Sequence, residues 1–226
     1  MRVLVLCLSL FAVPPAPGRD RLAIELFGGS AVNFRTPLAV TREGRPDIEL
    51  TARYDTKGFN LPLYYAVRIE MRSKRRALEL QFIHHKLYLR NPPPAMRSFE
   101  ATHGYNILTL GGSLRREHFD FRMGAGLVLA HVETVVRDEA TDDWAILGDG
   151  YDLTGPVIMV GIGKNFPISR NFFVASDVQL IAARASVALS AGEWGETYAE
   201  ARVPNIAVHF LIGIGYRPLY TPPGGK

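Results

Sequence analysis

The sequence predicts an all-β fold, an eight-stranded antiparallel up-and-down transmembrane β-barrel behind an N-terminal signal peptide. Three observations predict it. Apolar and polar residues alternate with period two in segment after segment, as in strands with two unlike faces. The connections between those segments are short and long by turns. No run beyond the N-terminal segment reaches the roughly 18 apolar residues of a membrane helix.

The N-terminal segment comes first. Arg2 is a short basic start, Val3 to Val13 is an apolar run too short to span a bilayer, and Ala16 and Gly18 suit a cleavage site. Residues 1–18 are therefore expected to be a signal peptide, 19–217 a single barrel domain, and 218–226 a flexible tail. Cys7 is the one cysteine and lies inside the apolar run, so the mature chain is expected to fold without a disulfide. The formal charge is +4 and the pI about 9.3, with charges of both signs scattered along the chain. The densest basic patch, Arg72, Lys74, Arg75 and Arg76, reads as a solvated turn near anionic headgroups rather than a nucleic-acid surface.

The strands then follow in order. Leu22–Phe34 sets Leu22, Ile24 and Leu26 against Glu25 and Asn33. Leu63–Met71 sets Tyr65, Val67, Ile69 and Met71 against Tyr64, Arg68 and Glu70. Ala77–Leu89 opposes Leu78, Leu80 and Phe82 to Glu79 and Gln81, and Glu100–Gly112 follows as its neighbour. His118–Val132 carries Phe119, Phe121, Met123, Ala125, Leu127 and Leu129 on one face and Asp120, Arg122, Gly124 and Gly126 on the other. Pro156–Phe166, Asn171–Ala183 and Pro204–Arg217 repeat the pattern, the last two with Asp177 and His209 on the polar face. Each segment matches a tilted strand crossing a bilayer. Short turns are expected at Ser73–Arg75, Arg115–Glu117 and Pro167–Arg170. Longer loops are expected at Arg35–Asn60, Arg90–Phe99, Arg137–Tyr151 and Ala191–Ala199.

Periodicity does not say which face points outward. A soluble lipocalin-like carrier puts its apolar face inside; a membrane barrel inverts this. The polar face here mixes opposite charges with glycines, which suits the narrow lumen of eight strands. The other face is almost free of charge, with Phe, Tyr and Met recurring towards its ends as in interfacial girdles. Both features favour the membrane form.

The pattern resembles the small eight-stranded outer-membrane β-barrels of Gram-negative bacteria, the group that includes the OmpA membrane domain, OmpX and the lipid A deacylase PagL. The last strand, HFLIGIGYRP, is similar to their assembly signal and ends on Tyr216, although Arg217–Lys226 follows where such chains usually stop. The stretch IHHKLYLRNPPP is similar to a segment of uncharacterised members. The resemblance implies an outer-membrane location, outer-membrane lipids and lipopolysaccharide as surroundings, a monomer, and no nucleic-acid partner or cofactor.

Two sets of residues stand out for chemistry. Glu25, Arg68, Glu70, Glu79, Asp120, Arg122, Asp177 and His209 share the polar face. Opposite charges in a narrow lumen pair with one another, so a charge-plugged interior and a structural or interaction role are expected. The second set is His84, His85, His103, Glu100 and His131 around the Pro92–Pro94 loop. Imidazole, carboxylate and a hydroxyl (Ser98 or Thr102) would supply the parts of an ester hydrolase. The deacylases of the resembling group use such a set at the barrel rim. Their His-x-Ser arrangement is missing: Gly104 and Tyr105 follow His103, and Val132 and Glu133 follow His131, so no catalytic residue carries over. The same histidines with Glu133 have no recognised metal spacing. In the plain reading they sit with Tyr88 and Tyr105 as amphipathic residues at headgroup level. Asp138, Glu139, Asp142, Asp143 and Asp149 form an acidic loop that matches no EF-hand.

Overall fold

The computed structural model describes residues 21–101, 104–138, 143–148, 152–190 and 197–218, so the expected signal peptide and almost all of the expected tail lie outside the described residues. Alternating sequence yields strands throughout; no helix forms among the described residues. In chain order the strands are β1 (Arg21–Asn33), β2 (Thr36–Arg42), β3 (Ile48–Ala52), β4 (Tyr54–Asp55), β5 (Tyr65–Ser73), β6 (Arg76–His84), β7 (Leu87–Leu89) and β8 (Met96–Ala101). They continue as β9 (Tyr105–Arg116), β10 (Phe119–Ala130), β11 (Glu133–Asp138), β12 (Asp143–Gly148), β13 (Asp152–Pro167), β14 (Phe172–Ser190) and β15 (Thr197–Tyr216).

Eight of these close a ring in the order β1-β5-β6-β9-β10-β13-β14-β15, with β15 returning to β1, every pair antiparallel. This is the expected eight-stranded barrel. Closure leaves no unpaired sheet edge within the ring, the condition for strands to cross lipid. The outer wall is apolar: Leu26, Ile69, Leu80, Leu110, Phe121, Val160, Leu180 and Ile212 are all exposed. Glu25, Arg68, Glu79, Arg122 and Asp177 are buried inside. Polarity is thus reversed relative to a soluble barrel, which removes the lipocalin-like alternative. Near one end Phe119, Phe166, Phe172 and Tyr216 are exposed together, Phe172 and Tyr216 with ring centroids 5.0 Å apart.

Two connections at that end are two-residue hairpins, Lys74–Arg75 and Glu117–His118, in which Lys74 and Glu117 take positive φ of 52° and 54°. The opposite end differs from expectation. The segments that read as long loops contain β2, β3, β4, β12 and most of β8; β7 falls within the strand expected over Ala77–Leu89, β11 falls just after the one expected over His118–Val132, and β14 and β15 run on beyond the ring as a hairpin. β2 and β3 pair onto β15, and β12, β11, β8, β7 and β4 continue from β14, so the barrel wall extends outward as a sheet. Its inner face is apolar, with Leu38, Val40, Phe99, Val136, Val187, Leu189, Ala201 and Val203 buried in the core. The ring strand expected over Ala77–Leu89 stops at His84, and the one expected over Glu100–Gly112 starts at Tyr105, because chain is diverted into β7 and β8.

Candidate functional site

The lumen is built by the inward parity of each ring strand, which sends every second side chain to one interior. Glu25 on β1 and Arg68 on β5 are direct cross-strand partners. The Arg68 guanidinium donates to Glu25 at 2.8 Å and to Asp177 at 3.0 Å, and its Nε donates to Gln81 at 2.9 Å. Phe27 covers it, ring centroid 4.9 Å away. Arg122 on β10 donates to Asp177 at 2.8 Å and Glu79 at 3.1 Å. Asp177 on β14 therefore bridges two guanidiniums from different sides of the barrel.

Glu70 and Glu79 face each other across β5 and β6, a pairing of like charges that repels unless cations intervene. Cations do intervene. Arg72 reaches Glu70 at 2.7 Å and Asp120 at 3.0 Å, while Arg122 holds Glu79. Towards the hairpin end Arg115 meets Asp120 at 2.6 Å and Arg217 approaches Glu70 at 4.0 Å. The five carboxylates Glu25, Glu70, Glu79, Asp120 and Asp177 thus face the five guanidiniums of Arg68, Arg72, Arg115, Arg122 and Arg217. Charge balance and bidentate geometry are what allow ions to sit in so dry a place.

Arg72 corrects the sequence reading. Its neighbours in the chain group it with the solvated basic turn, yet it is buried in the lumen. Its parity with Arg68 and Glu70 carries the information, since residues two apart share a face.

Above this ionic layer the lumen becomes neutral. Gln81 and Gln179 exchange amide hydrogen bonds at 2.8 and 3.1 Å. His209 sits next, its Nδ1 2.6 Å from the Tyr64 hydroxyl and its ring centroid 4.8 Å from that of His85. His85 Nε2 lies 3.2 Å from Asn33 Oδ1, which also accepts from Asn205 at 2.9 Å. Tyr64, Asn33 and Asn205 do not stand out as site residues in the sequence, and their inward parity with Arg68, Glu25 and His209 is the available signal. Tyr105, expected at headgroup level, is buried instead, its hydroxyl donating to Val203 O at 2.8 Å.

The rim histidines divide. His85 faces the lumen, whereas His84 stacks on the outward Tyr65 with centroids 5.1 Å apart and contacts Asn106 at 2.7 Å. Glu100 on β8 is the cross-strand partner of Tyr88 on β7 and Glu133 on β11, and His131 lies 3.2 Å from Glu133. His103 and Thr102 lie outside the described residues. Among the described residues no group of three or more His, Cys, Asp or Glu forms a metal cage. Asp138 and Asp143 are cross-strand partners closing the β11–β12 hairpin; Glu139, Asp142 and Asp149 lie outside the described residues.

A scan against protein-family models and a search of curated proteins found no match. Solved structures do match. The outer membrane protein OprG from Pseudomonas aeruginosa has a TM-score of 0.53 at 11% identity, over 91% of this chain and 99% of that one. The outer membrane protein AlkL, solved by solid-state NMR in DMPC bilayers, has a TM-score of 0.47 at 14% identity, over 94% and 98%. Ail of Yersinia pestis has a TM-score of 0.36 at 11% identity, over 88% and 97%. At such identities a likeness speaks for fold alone, and the likeness to OprG, with the apolar wall and polar lumen, makes this chain an outer-membrane β-barrel in fold.

Proposed function

We propose that the protein is a non-conducting integral outer-membrane barrel whose lumen is plugged by its own charges and whose extended wall presents loops for interaction. The observation that carries the reading is Asp177, buried and hydrogen-bonded to Arg68 and Arg122 from opposite sides. Ions clamped in this way leave no continuous water column between the hairpin end and the apolar core at the loop end. The role is structural or one of interaction, set by the loops facing away from the cell.

The test is conductance of the purified full chain in planar lipid bilayers, after an unboiled sample has shown the faster gel mobility of a closed barrel. The expected trace stays at baseline. Stable ohmic steps would overturn the plug, and a soluble protein with no heat-dependent shift would overturn the barrel.

A further inference from the structure

The extended wall contains a cavity of about 380 Å³ lined by Asn33, Arg35, Arg53, Tyr54, Arg90 and Asn91. Three of the six are arginines and none is acidic. Arg35 lies between β1 and β2, Arg53 between β3 and β4, and Arg90 just after β7, so distant parts of the chain bring them together. None of the three has an ion-pair partner among the described residues. The lumen arginines Arg68, Arg72 and Arg122 are, by contrast, each matched to carboxylates.

Backbone and side-chain hydrogen bonds tie together the scaffold under these arginines. β4 and β7 pair through Tyr54 with Leu89, Arg90 N donates to Arg53 O at 2.9 Å, and Arg53 N donates to Asn91 Oδ1 at 2.8 Å. The Asn91 amide also donates to Thr51 O at 3.0 Å, so one side chain ties the chain after β7 to residues 51–53 at two points. Pro92, Pro93 and Pro94 follow directly and stiffen the exit. The NPPP stretch thereby has a use as the anchor of the cavity. Tyr54 forms the apolar floor: its side chain is buried in the core behind the arginines.

We propose that this cavity binds a small organic phosphate ester. Unpaired guanidiniums gathered at one cavity repel one another until an anion neutralises them, and their planar forks match phosphate oxygens in bidentate fashion. The volume exceeds that of a lone phosphate and lies in the range of small-molecule sites. The phosphate is presented either by a lipopolysaccharide headgroup of the same membrane or by a free sugar phosphate.

The test uses the full chain in detergent, each sample first checked for the heat-dependent mobility shift so that loss of binding is separated from loss of the barrel. Calorimetric titration with glucose 1-phosphate is expected to show binding, with glucose at least about tenfold weaker. The Arg35→Gln, Arg53→Gln, Arg90→Gln triple variant should lose roughly a hundredfold. Equal affinity for glucose and its phosphate, unchanged binding in the triple variant, or no binding of any phosphate probe would overturn the proposal. Repeating the titration in phosphatidylcholine nanodiscs with and without lipopolysaccharide separates the sources. Competition by lipopolysaccharide assigns the site to the headgroup, and unchanged sugar-phosphate binding assigns it to a free ligand.

Discussion

Arg68 and Glu25 stand opposite each other on neighbouring strands, with Nη1 2.8 Å from Oε2 and both side chains fully buried. Such a pair is held up by its geometry as much as by its charge. The same guanidinium serves Asp177 and Gln81, so three side chains depend on one residue.

Arg68→Met should therefore destabilise the barrel by about 3–5 kcal/mol, because carboxylates lose their cation in a place they cannot leave. Urea unfolding in phospholipid vesicles reads this directly. Glu25→Leu added to Arg68→Met should recover part of the loss, since the stranded charge goes with it. A single-variant effect below about 1 kcal/mol would argue against an essential network.

The lumen is also crowded. A Cβ built on Gly163 would run into the Asp177 carboxylate, and one on Gly215 into the Phe173 ring. Gly163→Val should cost about 1–3 kcal/mol by overpacking and by moving Asp177 off Arg122, read by the same urea unfolding. Gly28, where a Cβ would meet nothing within 4 Å, is the control and should accept Ala with little change.

On the outer wall the prediction turns on depth. Val160 is exposed between Met123 and Leu180 in the middle of the apolar band. Val160→Arg should destabilise by about 2–4 kcal/mol in a bilayer, where the charge has no water to reach. On the outward face of β14, Arg184 and Ser186 follow Leu180 and mark the band's edge. Removing the charge there, by Arg184→Ser, should change stability by under about 1 kcal/mol. Unfolding of both variants in the same vesicles checks the contrast, and equal effects would count against this placement of the band.

Beyond the band Glu200 accepts a hydrogen bond from the Ser186 hydroxyl at 2.6 Å and lies 3.4 Å from Arg202. The Ser186 hydrogen bond first, and then Arg202, hold its carboxyl below the ordinary 4.5. A lowered carboxyl value stabilises the folded state above pH 4.5, and that contribution is lost as the pH falls through the folded value. Half exposure keeps the effect below about 1 kcal/mol. In an NMR titration Ser186→Ala should move the Glu200 midpoint upward; an unmoved midpoint would exclude the hydroxyl as the cause.

Much of this is legible in sequence. Alternation places Glu25, Arg68, Glu79, Asp120, Arg122 and Asp177 on one face of their strands, and the short turns set their order round the ring. Arg72 escapes because a cluster of basic residues next to a turn resembles solvated surface, although its parity points inward. The strands of the extended wall escape because Pro37, Gly44, Pro46 and Pro92–Pro94 interrupt them, and punctuation of that kind reads as loop. Adjacent His84 and His85 have to face opposite ways in a regular strand, but where each side then lies depends on closure.

Two levels of information divide here. The period of hydrophobicity is local, so the sequence by itself determined that the chain forms strands with two unlike faces, enough of them to close a barrel. Period two is the same for a barrel turned inside out; the charge-free composition of one face favoured the membrane form, and the closed ring with that face outside decided it. Register and closure also decided which charges meet. They set Asp177 between Arg68 and Arg122, and brought Arg35, Arg53 and Arg90 to one cavity from separate segments. Contacts between residues that far apart in the chain have no local signature, and only the tertiary structure creates them.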